Sequence, residues 1–382
     1  MQQQRVLMIS VSAGSGHVRA AEALLEVTPQ FHDVHAQHID VMHHVSRSFK
    51  GVYSDFYKHL IQHAPALWAY LYKKTDDAQQ TDISTLLRRS IERFCTKDLI
   101  RKINEFQPDH IVCTHFLPAE LLSREIKQGR MTCPVWVQVT DFDLHNLWVQ
   151  PNMSGFFAAN NEVAFKMRER GIAPEMVHVT GIPVSQVFLQ AKQIPNAKQL
   201  NRAELGLQVD VPTILILNGG ARIGTVSEIA ERLLRCNPQL QVISVAGNNP
   251  QRLQECQKLA AQYPGRLVAI GFSKTIEKLM AASDMVVTKP GGLTSSECLI
   301  MGLPMILVDP IPGQEERNGD FLMEQGAALK VHDIAGLDYK VRQLLADPSR
   351  LETMRNNMLE MGKPSAANDV LTRVLEKTHA AS

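Results

Sequence analysis

The sequence has few cysteines, no long apolar run and no excess of charge of either sign. Its six cysteines, in 382 residues, include no CxxC pair, which favours reduced thiols over a disulfide framework or a zinc site. No run of about 18 apolar residues occurs, so we expect no transmembrane helix. The chain starts with MQQQRV and lacks the apolar segment of a secretory signal peptide, so we expect a cytoplasmic location.

The balance of charges restricts the partners of this chain. Lys and Arg together number 40 and Asp and Glu together number 39, for a formal net charge of +1. A protein that binds nucleic acid needs a basic surface to neutralise phosphates, so we expect no nucleic-acid partner. A length of 382 residues exceeds one ordinary hydrophobic core and fits two domains.

Two stretches resemble the first strand of a parallel α/β sheet. RVLMISVSAGSGH lies near the N-terminus, VPTILILNGGARIGTV begins at Val211, and each is a near-continuous apolar run that ends in a glycine turn. After each stretch, predicted strands alternate with predicted helices. The further predicted strands are DHIVCTHF, CPVWVQVTDF, LQVISVAG, RLVAIGF, DMVVTKPGG and LPMILVDP. The alternation predicts an α/β fold with two doubly wound, Rossmann-like domains that face each other.

The domain boundary is predicted in a polar segment that contains two glycines and two prolines. This segment, TGIPVSQVFLQAKQIPNAKQLNRAELGL, precedes the second opening strand. We expect an N-terminal domain at 1–186 and a C-terminal domain at 187–363. The last helix, within 364–382, is expected to return to the N-terminal domain.

The strongest chemical signal is the segment TKPGGLTSSECLIMGLPMILVDPIPGQEERNG. Gly291 and Gly292 form a turn that a ligand can approach, and Thr294 lies at the start of the following helix. The free N–H groups of a helix N-terminus favour an anion, and a diphosphate fits there. Glu297 has two readings, as a favourable carboxylate near the helix N-terminus or as a ligand of a ribose diol.

A polar loop follows the next predicted strand. It contains Gln314, Glu315 and Asn318 at the carboxyl end of that strand, where open α/β sheets bind their ligands. Amide and carboxylate groups at this edge suit the hydroxyl groups of a sugar. The alternative is a solvated loop.

The first glycine turn, SAGSGH, contains Gly14, Ser15 and Gly16 and is a candidate acceptor or phosphate loop. Arg19 occupies the position of the third glycine of a dinucleotide fingerprint, which argues against an NAD site. His17 follows at the expected carboxyl edge of the sheet. With an ordinary pKa near 6.5, it is able to accept a proton at neutral pH or to orient the acceptor. Alternatively, it caps its helix or lines the diphosphate.

Asp141, in VTDFDLH, is a second candidate for the base. It ends a predicted strand of the same domain, and it either accepts the proton itself or orients His17. Asp143 and His145 follow at alternate positions, a spacing that also occurs in metal sites. We expect no metal here.

These motifs resemble those of glycosyltransferase family 28, and most closely those of the UDP-sugar:diacylglycerol glycosyltransferases. That group includes the monogalactosyldiacylglycerol synthases and the processive bacterial glucosyltransferases. The pattern Pro-Gly-Gly, Thr, Glu, Gly-x-Pro, Pro-Gly-Gln-Glu and Asn is present almost in full. A small-residue turn with Gly-His, the VTDFDLHNLWV segment and the GIPV of Gly181–Val184 extend the resemblance over most of the chain.

The resemblance implies a GT-B fold with an acceptor-binding N-terminal domain and a UDP-sugar-binding C-terminal domain across a cleft. It implies an inverting transfer of a hexose from UDP-glucose or UDP-galactose to diacylglycerol, with His17 or Asp141 as catalytic residue and no cofactor or catalytic metal. The implied donor-binding residues are Asn218, Gly219 and Gly220 at the phosphates, Phe272 near the uracil, Gly291, Gly292, Leu293 and Thr294 at the diphosphate, Glu297 at the ribose, Gln314 and Glu315 at the sugar, and Asn318 in the donor loop.

A diacylglycerol acceptor lies in a bilayer, so the resemblance implies a peripheral protein on the inner face of the cell membrane. The segment RSFKGVYSDFYKHLIQHAPALWAYLYKK, residues 47–74, mixes aromatic side chains with lysines and suits an anionic lipid surface. The same spacing also occurs in helices that pack on a sheet.

Three alternatives keep a nucleotide-sugar site. In the first, the protein transfers N-acetylglucosamine from its UDP derivative to a lipid-linked cell-wall precursor. Or the protein is a UDP-N-acetylglucosamine 2-epimerase, which turns over its UDP-sugar without an acceptor. Or it is a UDP-sugar sensor without catalysis.

Overall fold

A computed structural model of the chain describes residues 3–12, 14–44, 70, 73–74, 76, 98–220 and 223–376. The chain divides into two compact units. The first comprises Met1–Gln186, Ile311–Gln314 and Lys363–Ser382, and the second comprises Val187–Pro310 and Glu315–Gly362.

The described strands are β1 (Gln4–Ser10), β2 (Val34–Asp40), β3 (His110–Cys113), β4 (Val135–Gln138), β5 (Gly155–Ala158), β6 (Val177–Val179), β7 (Thr213–Ile216), β8 (Gln241–Val245), β9 (Leu267–Ile270), β10 (Met285–Thr288), β11 (Met305–Leu307) and β12 (Ala328–Lys330). The described α-helices are α1 (Ser15–Val27), α2 (Phe116–Lys127), α3 (Asn161–Glu169), α4 (Val187–Gln193), α5 (Ala197–Glu204), α6 (Val226–Cys236), α7 (Pro250–Ala260), α8 (Ile276–Ala281), α9 (Gly292–Met301), α10 (Gln314–Glu324), α11 (Ile334–Ala346), α12 (Pro348–Met361) and α13 (Ala366–Glu376). A further helical segment covers 98–106, and short 3-10 helices cover Thr28–Gln30, Val41–His43, Asn146–Trp148 and Pro174–Met176.

The first unit contains a parallel sheet of six strands in the order β2-β1-β3-β4-β5-β6. Side chains of β1 alternate between two apolar layers, because successive residues of a strand point to opposite faces. Val6 and Met8 pack with α1 and α13, whereas Leu7 and Ile9 join the core on the other face. Burial on both faces explains the near-continuous apolar run of β1.

The C-terminal helix α13 packs against α1 in the first unit. Its Val370, Leu371 and Val374 are fully buried, in the same cluster as Ala21 and Leu24 of α1. The last described helix therefore packs on the sheet that contains the first described strand.

The second unit contains a parallel sheet of six strands in the order β12-β11-β10-β7-β8-β9. Alternate residues of its central strands, such as Ile214 and Ile216 of β7 and Val287 of β10, form one buried layer with α6 and α11. Strands β7 and β10 are adjacent and parallel, so the loops at their carboxyl ends lie side by side. The two parallel sheets confirm the predicted α/β fold.

All eight predicted strands form, and four further strands were missed. The sequence VHAQHID of β2 lies at a sheet edge and has only three apolar residues in a broken alternation, and β5, β6 and β12 have only three or four residues each. Such segments carry little periodic signal. Within the described part of the chain, no helix is both long enough and apolar enough to cross a lipid bilayer.

Candidate active site

The histidine of the opening turn lies in the first turn of α1. Gly14 precedes the helix in an extended conformation, with φ −153° and ψ 168°, and a Cβ there would meet no described atom within 4 Å. Ser15 and Gly16 start the helix, and His17 follows. The carboxyl end of β1 thus leads directly into the turn that carries His17.

Two residues from neighbouring strands hold the imidazole of His17. Its Nδ1 lies 3.0 Å from the carbonyl oxygen of Thr114, which follows β3, and 2.8 Å from Oγ1 of Thr140, which follows β4. A carbonyl oxygen only accepts hydrogen bonds, so Nδ1 carries the proton. In the neutral ring, Nε2 is therefore the unprotonated nitrogen and is able to accept a proton.

The surroundings of His17 favour its neutral form. Burial lowers its pKa below 6.5, against the smaller raising effects of the Asp141 charge and the Thr114 carbonyl. The ring of His115 stands edge-on to His17, with centroids 4.5 Å apart and planes at 85°, and Trp148 lies at 6.1 Å. With its pKa lowered by burial, the imidazole of His17 is neutral at neutral pH and is able to accept a proton.

Asp141 lies just after β4 and is buried, with an exposed fraction of 6%. Its Oδ1 accepts a hydrogen bond of 2.5 Å from Nε2 of Gln314, which belongs to the same unit. The negative charge of Asp141 raises the pKa of His17. Asp141 therefore acts on His17 through its charge, which stabilises the imidazolium form.

The other two members of the VTDFDLH motif have separate structural roles. Asp143 forms an ion pair of 2.6 Å with Lys166, and Nδ1 of His145 accepts a hydrogen bond of 3.1 Å from the backbone N–H of Leu147. Among the described residues, no group of three or more His, Cys, Asp and Glu side chains has a geometry suited to a metal ion.

In the second unit, the Pro-Gly-Gly turn leads into α9. Gly291 is the N-cap residue, and it has no side chain with which to cap the helix. Leu293 is buried, Thr294 is half-buried, and the buried Oγ of Ser295 has no hydrogen-bond partner among the described residues. The first-turn N–H groups and the helix dipole make this end of α9 a candidate site for an anion.

The loop after β10 is supported from α10. Nδ2 of the fully buried Asn318 donates a hydrogen bond of 3.1 Å to the carbonyl oxygen of Pro290. Gln314 and Glu315 are the first two residues of α10. Glu297, on α9, is only 2% exposed. Asn318 therefore fixes the turn from which α9 starts.

The NGG turn after β7 lies beside that loop. Nδ2 of Asn218 is 3.4 Å from Oγ1 of Thr288, at the end of β10. A Cβ on Gly219 would lie 2.5 Å from the carbonyl oxygen of Gly224, and one on Gly220 would lie 1.8 Å from Oδ2 of Asp309. These two glycines are thus required by the packing of the loop itself.

Phe272 follows the edge strand β9, and its side chain is 63% exposed. Most of the predicted lipid-docking segment, 47–74, lies outside the described residues. Its described members, Tyr70, Lys73 and Lys74, are exposed.

Sequence reasoning missed the residues that surround His17. Thr114, His115, Thr140 and Trp148 belong to the strand ends and loops next to β1, and no motif marks them as partners of a histidine 97 or more residues away. The sequence contained only an indirect signal for these partners of His17. Thr114 and Thr140 directly follow apolar runs that were predicted as strands of the same sheet.

Two parallel six-stranded sheets, each with a glycine turn that leads into a helix, are the fold of GT-B enzymes that act on nucleotide sugars. A solved UDP-GlcNAc 2-epimerase from Neisseria meningitidis superposes with a TM-score of 0.63 at 16% identity, over 98% of this chain and 100% of that chain. MurG from Acinetobacter baumannii gives 0.60 at 16% identity, over 98% and 99%. Identities this low indicate a shared fold.

The family follows from the sequence. Residues 17–184 match the monogalactosyldiacylglycerol (MGDG) synthase model, and residues 213–370 match the glycosyltransferase family 28 C-terminal domain. The processive diacylglycerol beta-glucosyltransferase of Bacillus subtilis (strain 168) is 28% identical over 98% of this chain and 96% of its own length, and that of Bacillus pumilus (strain SAFR-032) is 26% identical over 98% and 95%. The two models together cover most of the chain, and they confirm the resemblance to glycosyltransferase family 28 that its motifs predicted.

Proposed function

We propose that this protein transfers a hexose from a UDP-sugar to diacylglycerol and so makes a membrane glycolipid. The observation that carries the proposal is the orientation of His17, whose Nδ1 faces the Thr114 carbonyl and whose Nε2 is therefore free to accept a proton. The two domain models and the full-length similarity to processive diacylglycerol glucosyltransferases support the same reaction.

The proposed reaction is a single displacement. His17 Nε2 removes the proton from the free hydroxyl group of diacylglycerol as that oxygen bonds to the anomeric carbon. The bond from this carbon to the diphosphate breaks on the opposite side, and its electron pair leaves with UDP. The configuration is therefore inverted. Asp141 stabilises the positive charge that His17 gains, because its carboxylate raises the His17 pKa.

The donor is proposed to bind mainly to the second unit, with its diphosphate at the N-terminus of α9. The helix N–H groups there meet the negative charge that develops on departing UDP, so the proposal needs neither a metal ion nor a cofactor. The residues proposed to contact the donor are Asn218, Gly219, Gly220, Gly291, Gly292, Leu293 and Thr294 for the phosphates, Glu297 for the ribose, Gln314 and Glu315 for the sugar, Asn318 for support of the loop, and Phe272 for the uracil.

We propose UDP-glucose as the preferred donor, with UDP-galactose as the alternative. The two sugars differ only in the configuration of one hydroxyl group. The names of the relatives that span nearly the whole chain favour glucose, whereas the domain model at residues 17–184 is named for a galactosyl product. The protein is proposed to act as a peripheral protein on the inner face of the membrane, with anionic lipid as the attracting surface.

Chromatography of the lipid products tests the proposal. Purified protein is incubated with vesicles of diacylglycerol and anionic lipid and with labelled UDP-glucose or UDP-galactose. We expect a labelled glycolipid from UDP-glucose, lost in His17→Ala and retained in His32→Ala, which removes an exposed histidine. Absence of a lipid product with both donors would refute the diacylglycerol reading, and epimerised UDP-sugar in the aqueous phase would replace it with the epimerase alternative.

A further inference from the structure

A second histidine, His115, packs on His17 and has no assigned role in the reaction. It is the N-cap residue of α2, with only 3% of its surface exposed, and its Nδ1 accepts a hydrogen bond of 3.0 Å from the backbone N–H of Leu117. An acceptor nitrogen carries no proton, so Nδ1 of His115 is unprotonated and its Nε2 carries the hydrogen. The tautomers of the two histidines are therefore opposite.

The surroundings of His115 keep it uncharged. Burial holds its pKa well below 6.5, and the neighbouring His17 lowers it further. Protonation would also require Nδ1 to give up the Leu117 hydrogen bond. Phe116 packs on the His115 ring at a centroid distance of 4.2 Å and Trp148 lies at 6.3 Å, so two further aromatic rings surround His115.

His115 thus presents an uncharged ring to one side of the His17 imidazole, edge-on at 4.5 Å. The other titratable group that acts on His17 is Asp141, from the loop after β4, which favours the charged form. The His115 ring opposes it, because a ring in van der Waals contact excludes water from the imidazole. Loss of that ring would admit water and make the charged form of His17 less costly.

We propose that His115 is a positioning residue that packs its uncharged ring against His17, holds the Nδ1–H of His17 on the Thr114 carbonyl, and keeps Nε2 free as a base. This inference rests on the proposed function, in which His17 takes the acceptor proton. It assigns His115 two separable tasks, because the ring faces His17 while Nδ1 caps α2.

Two substitutions separate these tasks. His115→Asn removes the ring and keeps a side-chain acceptor for the Leu117 N–H, since asparagine is among the best N-cap residues. His115→Phe keeps an uncharged ring of similar outline and removes the acceptor. If His115 only caps α2, only His115→Phe should lose stability. If His115 positions His17, the titration midpoint of His17 should change only in His115→Asn.

The measurement is a titration of the ring nitrogens of the full-length, ¹⁵N-histidine-labelled protein by NMR, with the His17 signals assigned from their loss in His17→Gln. In the wild type we expect the Nδ1–H tautomer and a midpoint below about 6.5. In His115→Asn we expect the midpoint to rise by about half a unit or more. In His115→Phe we expect the wild-type midpoint.

An unchanged His17 midpoint in His115→Asn, or an Nε2–H tautomer in the wild type, overturns the inference. If His115→Asn does not fold, His115→Ser, which also has a preferred N-cap side chain and no ring, provides the same comparison. The titration needs no substrate, so its outcome is independent of whether the protein makes a glycolipid. If glycolipid forms, the acidic limb of kcat/KM should move to higher pH in His115→Asn and stay in place in His115→Phe.

Discussion

Thr114 and His17 are joined by two reciprocal hydrogen bonds. Oγ1 of Thr114 donates to the carbonyl oxygen of His17 at 2.8 Å, and the carbonyl oxygen of Thr114 accepts from Nδ1 of His17 at 3.0 Å. The first bond fixes the backbone of the opening turn of α1, and the second fixes the side chain. The end of β3 thereby determines both the position and the tautomer of the proposed base.

The two bonds predict a graded effect of substitution at this threonine. Thr114→Val removes the hydroxyl donor and keeps the backbone carbonyl, so the tautomer of His17 should persist. We expect a loss of about 1 kcal/mol in unfolding free energy. We expect kcat to fall by less than about tenfold, whereas loss of the base in His17→Gln should cost about 10²–10⁴-fold. An equal loss of kcat in both variants would contradict this account.

The pH dependence of transfer should reflect the lowered pKa of His17. Because the base is active when neutral, the acidic limb of kcat/KM should lie below pH about 6.5. Asp141→Asn removes the charge that raises this pKa, so the limb should move to still lower pH while kcat falls. Rates measured across the acidic range test both effects. A shift of the limb to higher pH in Asp141→Asn would argue that Asp141 does not act through its charge.

The stability of the fold should fall in mild acid. Burial lowers the pKa values of His17, His110 and His115, so between these values and about 6.5 the unfolded chain binds more protons than the folded one. The free energy of unfolding from urea titrations should therefore be lower at pH about 5.5 than at about 7.5. The pH slope should be shallower in His115→Asn, which lacks one of these groups. An unchanged slope would mean that His115 is already charged in the folded protein.

Asn318 should matter to the donor site through the loop it supports. Asn318→Ala removes the donor to the Pro290 carbonyl and leaves that buried group without its amide partner, at a cost of about 1–3 kcal/mol in unfolding free energy. We expect weaker binding of UDP, measured by calorimetry, because α9 begins at this turn. Asn356→Ala, at an exposed site on α12, is the control and should change neither quantity. Unchanged UDP affinity in Asn318→Ala would separate this loop from the donor site.

The glycine turns of the two units should differ in their tolerance of a side chain. Gly219→Ala would place a Cβ 2.5 Å from the backbone oxygen of Gly224, so the loop must shift at a cost of about 1–3 kcal/mol. Gly14→Ala meets no described atom within 4 Å, and we expect a change within about 0.5 kcal/mol. Thermal or urea unfolding of both variants measures the difference. A similar loss at both positions would show that the Gly14 turn is also closely packed.

Much of the fold could be predicted from the sequence, because a strand that is buried on both faces is a continuous run of apolar residues. Strands β1, β7 and β10 carry such runs, and the glycine turns after them locate the loops at the carboxyl edges. The strands that were missed are short or lie at sheet edges, where one-sided exposure permits polar residues such as those of VHAQHID. The sequence pattern of a strand reflects how far that strand is buried, so a partly buried strand has a weaker pattern.

The sequence by itself determined that this chain folds as two parallel α/β units, that it carries a family 28 donor motif, and that a histidine follows its first glycine turn. Only the tertiary structure decided what that histidine is able to do. Its partners Thr114 and Thr140 lie 97 and 123 residues away along the chain and reach it only because β1, β3 and β4 are consecutive in the sheet. The tautomer of a histidine depends on which atom faces its ring nitrogen. Here the order of the strands in the sheet sets that contact, and no local sequence pattern encodes this order.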